Sequence, residues 1–80
     1  MLACGSVSMR FEIDFLNPDS GQSKTMHVVL SSNEVAATRA YGHAYPELVL
    51  KAKALQVAYH AAGRGYRHVG PQGIRQTILN

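Results

Sequence analysis

Four histidines and one cysteine are the side chains of this sequence that could bind a transition metal. They are Cys4, His27, His43, His60 and His68. No pair of them has the CxxC or HxxxH spacing that places two ligands on one turn of the chain. We therefore expect no metal site and no cofactor, and we interpret His27 and His60 as solvent-exposed residues.

Covalent catalysis would require a serine or cysteine activated by a neighbouring base. The sequence has no nucleophile-elbow motif, and Cys4 lies near the start of the chain without neighbours that would activate its thiol. Glu12 and Asp14 stand two residues apart on a predicted strand, which is typical of charges that keep a sheet face in water. We expect a protein that is not an enzyme, with catalysis at an unrecognised site as a third hypothesis.

The charged residues are distributed unevenly along the chain, whose formal net charge is +3. All five acidic residues lie within the first 47 positions, so the C-terminal part is purely basic. Arginine binds phosphate as a fork, and tyrosine rings can stack on bases. This composition suggests binding to single-stranded RNA or DNA. The candidate contacts are Lys53, Arg64, Tyr66, Arg67 and Arg75.

A β-hairpin is the first element expected to position these side chains. Apolar residues alternate with polar ones over residues 9–15, and the alternation returns over residues 24–30. Between them, residues 17–21 are a cluster of turn formers that includes Pro18 and Gly21. The pattern predicts two antiparallel strands joined by a short loop.

Two helices are predicted after the hairpin, a short one and a long one. Ser31 and Glu34 form a capping box for the short helix, and Gly42 is a suitable terminator. Pro46 suits the first position of the long helix, which continues without a helix breaker to Ala62.

The long helix carries more apolar surface than one sheet requires. At about 100° per residue, the main stripe, expected to face the sheet, comprises Leu48, Ala52, Leu55, Tyr59 and Ala62. A second, adjacent stripe would then contact the short helix, another copy of the chain or a different partner. This candidate protein interface comprises Leu50, Ala54, Val57 and Ala61.

The expected fold is a single small two-layer α+β domain over residues 9–80, preceded by a flexible tail at residues 1–8. Its helices lie on one face of a mainly antiparallel sheet. Residues 74–79 are predicted to form a last strand, and residues 66–69 are a second candidate, so one or two C-terminal strands are expected. With 80 residues and 46% hydrophobic composition, the chain has room for one core.

The number of cysteines and the hydropathy of the chain indicate the cellular compartment in which the protein is expected. A single cysteine cannot form an internal disulfide, and no apolar run approaches a membrane-spanning length or a signal peptide. We expect a cytoplasmic protein with no membrane contact. The leading hypothesis is a small interaction module that self-associates through its long helix, and the alternative is a nucleic-acid-binding protein.

Overall fold

The structure is a computed structural model and describes residues 7–79. It has the predicted α+β architecture, with two helices against a four-stranded antiparallel sheet. Of the one or two C-terminal strands predicted, two are present, and the first covers only Arg67–His68 of the candidate segment 66–69. In chain order the elements are β1 (Ser8–Leu16), β2 (Ser23–Leu30), α1 (Ser32–Ala40), α2 (Pro46–Ala62), β3 (Arg67–His68), a 3-10 turn (Pro71–Gly73) and β4 (Ile74–Leu79).

Strand β1 is the centre of the sheet. It pairs with β2 along one side, and β3 and β4 share its other side. The pairing places Met9 opposite both Leu30 of β2 and Ile78 of β4. Strand β1 begins at Ser8, inside the segment predicted as a tail, while residues 1–6 of that segment, including Cys4, lie outside the described residues.

The hairpin loop is held by local hydrogen bonds, as its composition predicts. The Asn17 side-chain oxygen accepts from the backbone N–H of Asp19 at 3.0 Å and of Ser20 at 3.3 Å. Gly21 has a φ of +76°, a conformation that glycine adopts without strain. The turn therefore fixes the register of β1 and β2.

The apolar side chains of β1 form the centre of the core. Met9, Phe11, Ile13 and Phe15 are fully buried on the face that the helices cover. Helix α2 packs on β2 and β1, and α1 packs on β1 and α2. The other face of the sheet, called the open face below, has no helix over it within residues 7–79.

Helix α2 turns a different face to the sheet than the one predicted. Its buried residues are Leu50, Ala54, Ala58 and Ala62. Of the predicted main stripe, Ala62 is buried and Leu55 packs partly against the core, whereas Leu48 is 58% exposed. Alanines at every fourth position let the helix approach closely, and the large Phe11 and Phe15 side chains of the sheet fill the remaining space.

The helix ends follow the predicted signals. The Ser31 hydroxyl accepts from the backbone N–H of Glu34 at 3.2 Å, and Pro46 is the first residue of α2. Gly63 ends α2 with a φ of +102°. Within residues 7–79, neither helix is both long and apolar enough to cross a membrane.

Candidate interaction surface

The outer side of β4, called the β4 edge below, is the least protected part of the sheet. Strand β4 pairs with β1 on one side only, and no strand lies on its other side within residues 7–79. Since the helices pack over β1 and β2, Gln76 and Ile78 stay exposed on the helix-covered side of the sheet. Ile78 is 56% exposed, although it lies directly opposite the fully buried Met9.

The sequence of β4 lacks the features that usually protect an edge strand. Residues 74–79 contain no proline and no lysine, and Arg75 is their only charged residue. The Arg75 guanidinium donates from Nη1 and Nη2 to the two Asp14 carboxylate oxygens at 2.9 Å, and Nε lies 3.5 Å from Glu12 Oε1. The charge of Arg75 is therefore directed back over β1.

This ion pair perturbs both of its partners. The hydrogen bonds from Arg75, followed by the 2.7 Å bond from the Thr25 hydroxyl, hold the pKa of the Asp14 carboxyl well below its usual range. The same contact raises the pKa of Arg75. At the other end of the row, His27 Nδ1 lies 3.6 Å from Glu12 Oε2. Arg75 of β4 with Asp14 and Glu12 of β1 forms a row of charges across the open face, called the charge row below, and His27 of β2 lies beside its Glu12 end.

The opposite edge of the sheet, on β2, is better covered. Helix α2 packs over β2, and Val28 and Leu30 are buried beneath the helices. Lys24 is an exposed charge near the start of this strand, with its Nζ 4.2 Å from the centre of the Tyr66 ring. A lysine at an edge discourages the addition of another strand, so the two edges of the sheet are not equivalent.

Two of the four residues of the predicted helix interface are not at the surface. Leu50 and Ala54 are fully buried against the chain's own sheet, which corrects the expectation that they face a partner. Val57 and Ala61 are exposed, and Val57 is 51% exposed. The core therefore covers only part of the apolar arc predicted for α2, and Leu48 and Val57 stay at the surface of the helix.

The predicted nucleic-acid contacts divide into separate locations. Arg64, Tyr66 and Arg67 follow the C-terminal end of α2, where Tyr66 is partly buried and donates to Gln22 Oε1 at 3.2 Å. Lys53 lies on α2 and donates to the Thr38 hydroxyl at 3.0 Å. Arg75 lies on the open face in the charge row. The five candidate residues thus do not form one continuous patch.

Tyr59 and His68 contact one another near β3. Tyr59 packs edge-on against Phe15 with ring centroids 5.1 Å apart, and its hydroxyl hydrogen-bonds to His68 Nδ1. Tyr59 is half-exposed, so it lies at the border of the core and not within it. Among the residues that the structure describes, no three histidine, cysteine or carboxylate side chains come together as a metal site would require.

An open cleft of about 510 Å³ lies on the sheet where β1 meets β2 and β3. Its lining residues are Asp14, Phe15, Leu16, Ser23, Lys24, Thr25 and Val69. The carboxylate of Asp14 is bound by Arg75 and Thr25, and the ammonium group of Lys24 lies over Tyr66. The Asp14 carboxylate is thus already engaged by other side chains of this protein, whereas Lys24 remains an exposed cation beside the cleft.

Comparisons with protein-family models, with curated proteins and with solved structures found no match for this chain. The fold and the surface described above are therefore the basis for any functional assignment. Sequence reasoning did not identify Gln76 and Ile78 of β4. The available signal was the six-residue segment 74–79, which reads as a strand and contains neither proline nor lysine.

Proposed function

We propose that this chain is a small, non-enzymatic protein-interaction module that binds an extended segment of another polypeptide along the β4 edge. The observation that carries the proposal is Ile78, an apolar side chain that is 56% exposed on an unprotected edge strand. Exposed apolar side chains on a strand that has no neighbouring strand on its outer side favour the addition of another strand. The proposal keeps the expected class of function and moves its surface from α2 to β4.

Strand addition would stabilise a complex in two ways. Along an antiparallel edge, backbone N–H and C=O groups point outward at every second residue and can pair with an incoming strand. The incoming strand would also cover Ile78. Burying its exposed part contributes roughly half of the about 1.5–3 kcal/mol that complete burial of such a side chain provides.

The decisive experiment is an NMR titration of the isotopically labelled chain with a capped peptide. The peptide has the sequence of β4 itself, Ile-Arg-Gln-Thr-Ile-Leu. A six-residue strand binds weakly, so the titration should reach about 1 mM peptide. We expect chemical-shift changes concentrated in the amides of residues 74–79. The Ile78→Lys variant should abolish them, because a lysine introduces a charge at the position that the added strand covers.

Val57→Lys is the matched control for this titration. Val57 is 51% exposed on α2 and was a candidate interface residue, so it tests the helix face with the same introduced charge. We expect Val57→Lys to bind the peptide like the unmodified chain. Shift changes confined to α2, or their loss in Val57→Lys but not in Ile78→Lys, would contradict the proposal.

A second candidate function, binding of single-stranded nucleic acid, is favoured by the cations near β3. Arg64 and Arg67 are exposed, and neither has an acidic partner within residues 7–79, whereas Arg39 and Arg75 are both paired with carboxylates. Lys24 lies at the same end of the sheet, since it is opposite Phe15 while Arg67 is opposite Leu16. These three side chains could contact a phosphate backbone.

Fluorescence anisotropy with labelled single-stranded RNA and DNA tests this second function. The affinity should fall steeply between about 50 and 200 mM salt if phosphates are contacted. Arg64→Glu with Arg67→Glu should abolish binding. Arg10→Glu with Lys51→Glu makes the same change in net charge elsewhere and should retain it. Equal loss in both double variants would indicate a nonspecific effect of charge.

A further inference from the structure

We infer that the strand bound at the β4 edge is β4 of a second copy of this chain, antiparallel to the first, with a two-fold axis at Gln76. This inference rests on the proposed use of the β4 edge and names its partner. It would produce a symmetric dimer with one continuous sheet through both copies. The register follows from the side chains that β4 presents to each face.

The side chains of β4 alternate between the two faces of the sheet. Ile74, Gln76 and Ile78 lie opposite Ile13, Phe11 and Met9, whose side chains are buried under the helices. Directly opposed residues of an antiparallel pair point to the same face. Ile74, Gln76 and Ile78 therefore belong to the helix-covered side, and Arg75, Thr77 and Leu79 to the open face.

A two-fold axis perpendicular to the sheet keeps the helices of both copies on one side. With the axis at Gln76, Ile78 of each copy lies opposite Ile74 of the other. Ile74 packs against its own core, so each exposed Ile78 would acquire an anchored apolar neighbour. On the open face, Arg75 would lie opposite Thr77, and no two like charges would meet.

Neighbouring registers are less favourable. An axis at Thr77 would place Ile78 opposite Gln76 and Leu79 opposite Arg75, so that apolar side chains meet polar ones. A shift of the pairing by one residue would place Ile78 opposite Arg75. The outward-pointing backbone groups of one copy would then face residues whose backbone groups point back to β1, so a hydrogen-bonded ladder could not form. Of these three registers, only the one centred at Gln76 pairs Ile78 with another isoleucine. An axis at Ile78 would pair the two Ile78 side chains, but only residues 77–79 of β4 would then overlap.

The charge row on the open face allows the β4 strands of two copies to come together without repulsion between their Arg75 side chains. Because Asp14 and Glu12 hold the Arg75 guanidinium over β1, the edge of each copy presents no unpaired arginine from residues 74–79 to the other. The interface is limited to one short strand per copy, and interfaces of this size are typically transient. We therefore expect a dimer that dissociates on dilution.

Cysteine cross-linking tests the register directly, in a Cys4→Ser background that removes the native thiol. A two-fold axis at Gln76 places that residue opposite its own copy, at a Cα separation of about 4.5–5.5 Å. This separation lies within the range that a disulfide spans. Gln76→Cys should therefore form a disulfide-linked dimer under mild oxidation, and adding Ile78→Lys should suppress it.

Thr77→Cys is the matched control, since Gln76 and Thr77 are both exposed and adjacent on β4. In the inferred register, the two copies of residue 77 are offset by two positions along the strands and should cross-link poorly. Efficient cross-linking of Thr77→Cys with little at Gln76→Cys would overturn the register. Equal cross-linking of both variants would indicate random collision and would also overturn it.

Sedimentation equilibrium of the unmodified chain separates this inference from the proposed function. We expect a reversible monomer–dimer equilibrium, with Ile78→Lys at least about tenfold weaker and Val57→Lys unchanged. A monomer at about 500 μM that still binds the β4 peptide would refute the dimer and leave the proposed function standing. A monomer that does not bind the peptide would refute both.

Discussion

The orientation of α2 can be tested by replacing Leu50 and Leu48 separately with alanine and comparing the two losses in the free energy of unfolding. Leu50 is fully buried and Leu48 is 58% exposed, although they lie two residues apart on α2. Leu50→Ala removes three carbon groups from the core, worth about 2–2.5 kcal/mol of transfer free energy at ~0.8 kcal/mol each. The cavity left beneath the helix adds to this, so we expect a loss of about 3 kcal/mol in the free energy of unfolding.

Leu48→Ala should change the free energy of unfolding by no more than about 0.5 kcal/mol, because the side chain is largely in water and alanine is a good helix former. Urea denaturation followed by circular dichroism at 222 nm measures both changes. A domain of this length is stable by about 4–12 kcal/mol, so the Leu50 variant should remain folded in buffer.

Leu50→Met provides a second measurement if Leu50→Ala fails to fold. It conserves most of the side-chain volume and should cost less than about 1.5 kcal/mol. Similar losses for Leu48→Ala and Leu50→Ala would refute the described orientation of α2. A larger loss at Leu48 would restore the face predicted from the sequence and would return Leu50 and Ala54 to the candidate interface.

Substitutions at three other positions test the charge row and the helix ends. Because its pKa is lower in the folded chain than in the unfolded one, the Asp14 carboxylate stabilises the fold above about pH 5 and loses this contribution as the pH falls further. Between pH 6 and pH 2, the free energy of unfolding measured in urea should therefore fall less steeply with decreasing pH in Asp14→Asn than in the unmodified chain. Some decline should remain, because Arg39 lowers the pKa of Glu47 in the same way. An equally steep decline in both proteins would contradict the ion pair. Gly63→Ala should cost about 1–3 kcal/mol, since φ +102° with ψ 171° is a conformation essentially limited to glycine, and urea denaturation matching the unmodified chain would refute this. Ser31→Ala should cost about 1 kcal/mol by removing the cap of α1, while Ser31→Asp should retain stability in thermal unfolding.

Local signals in the sequence were sufficient to predict most of the elements. The alternation of apolar residues in β1 and β2 identified the hairpin, because a sheet with one covered face requires a period of two. Pro46 and Gly63 marked the ends of α2, because each has a backbone preference that suits one end of a helix. These features depend on neighbouring residues alone, so a single sequence contains them.

The orientation of α2 depended on residues distant in the sequence. Both apolar stripes of the helix satisfy the helical period, so periodicity alone does not choose between them. The face that packs on the sheet carries alanines at positions 54, 58 and 62, which allow a close approach, whereas Leu48 of the other stripe is 58% exposed. The partly exposed Ile78 was unpredictable for a similar reason, since it requires knowing that β4 lies at an edge and beyond both helices.

The pairing of Arg75 with Asp14 links the charge distribution to the choice of interaction surface. Arg75 belongs to the basic C-terminal part of the chain, while Asp14 and Glu12 belong to the acidic N-terminal part, and β1 and β4 bring them together. The contact takes Arg75 out of the set of cations available to a phosphate backbone. It also removes from β4 the one charge that could repel an added strand. The same ion pair therefore weakens the nucleic-acid hypothesis and strengthens the proposal that β4 binds another strand.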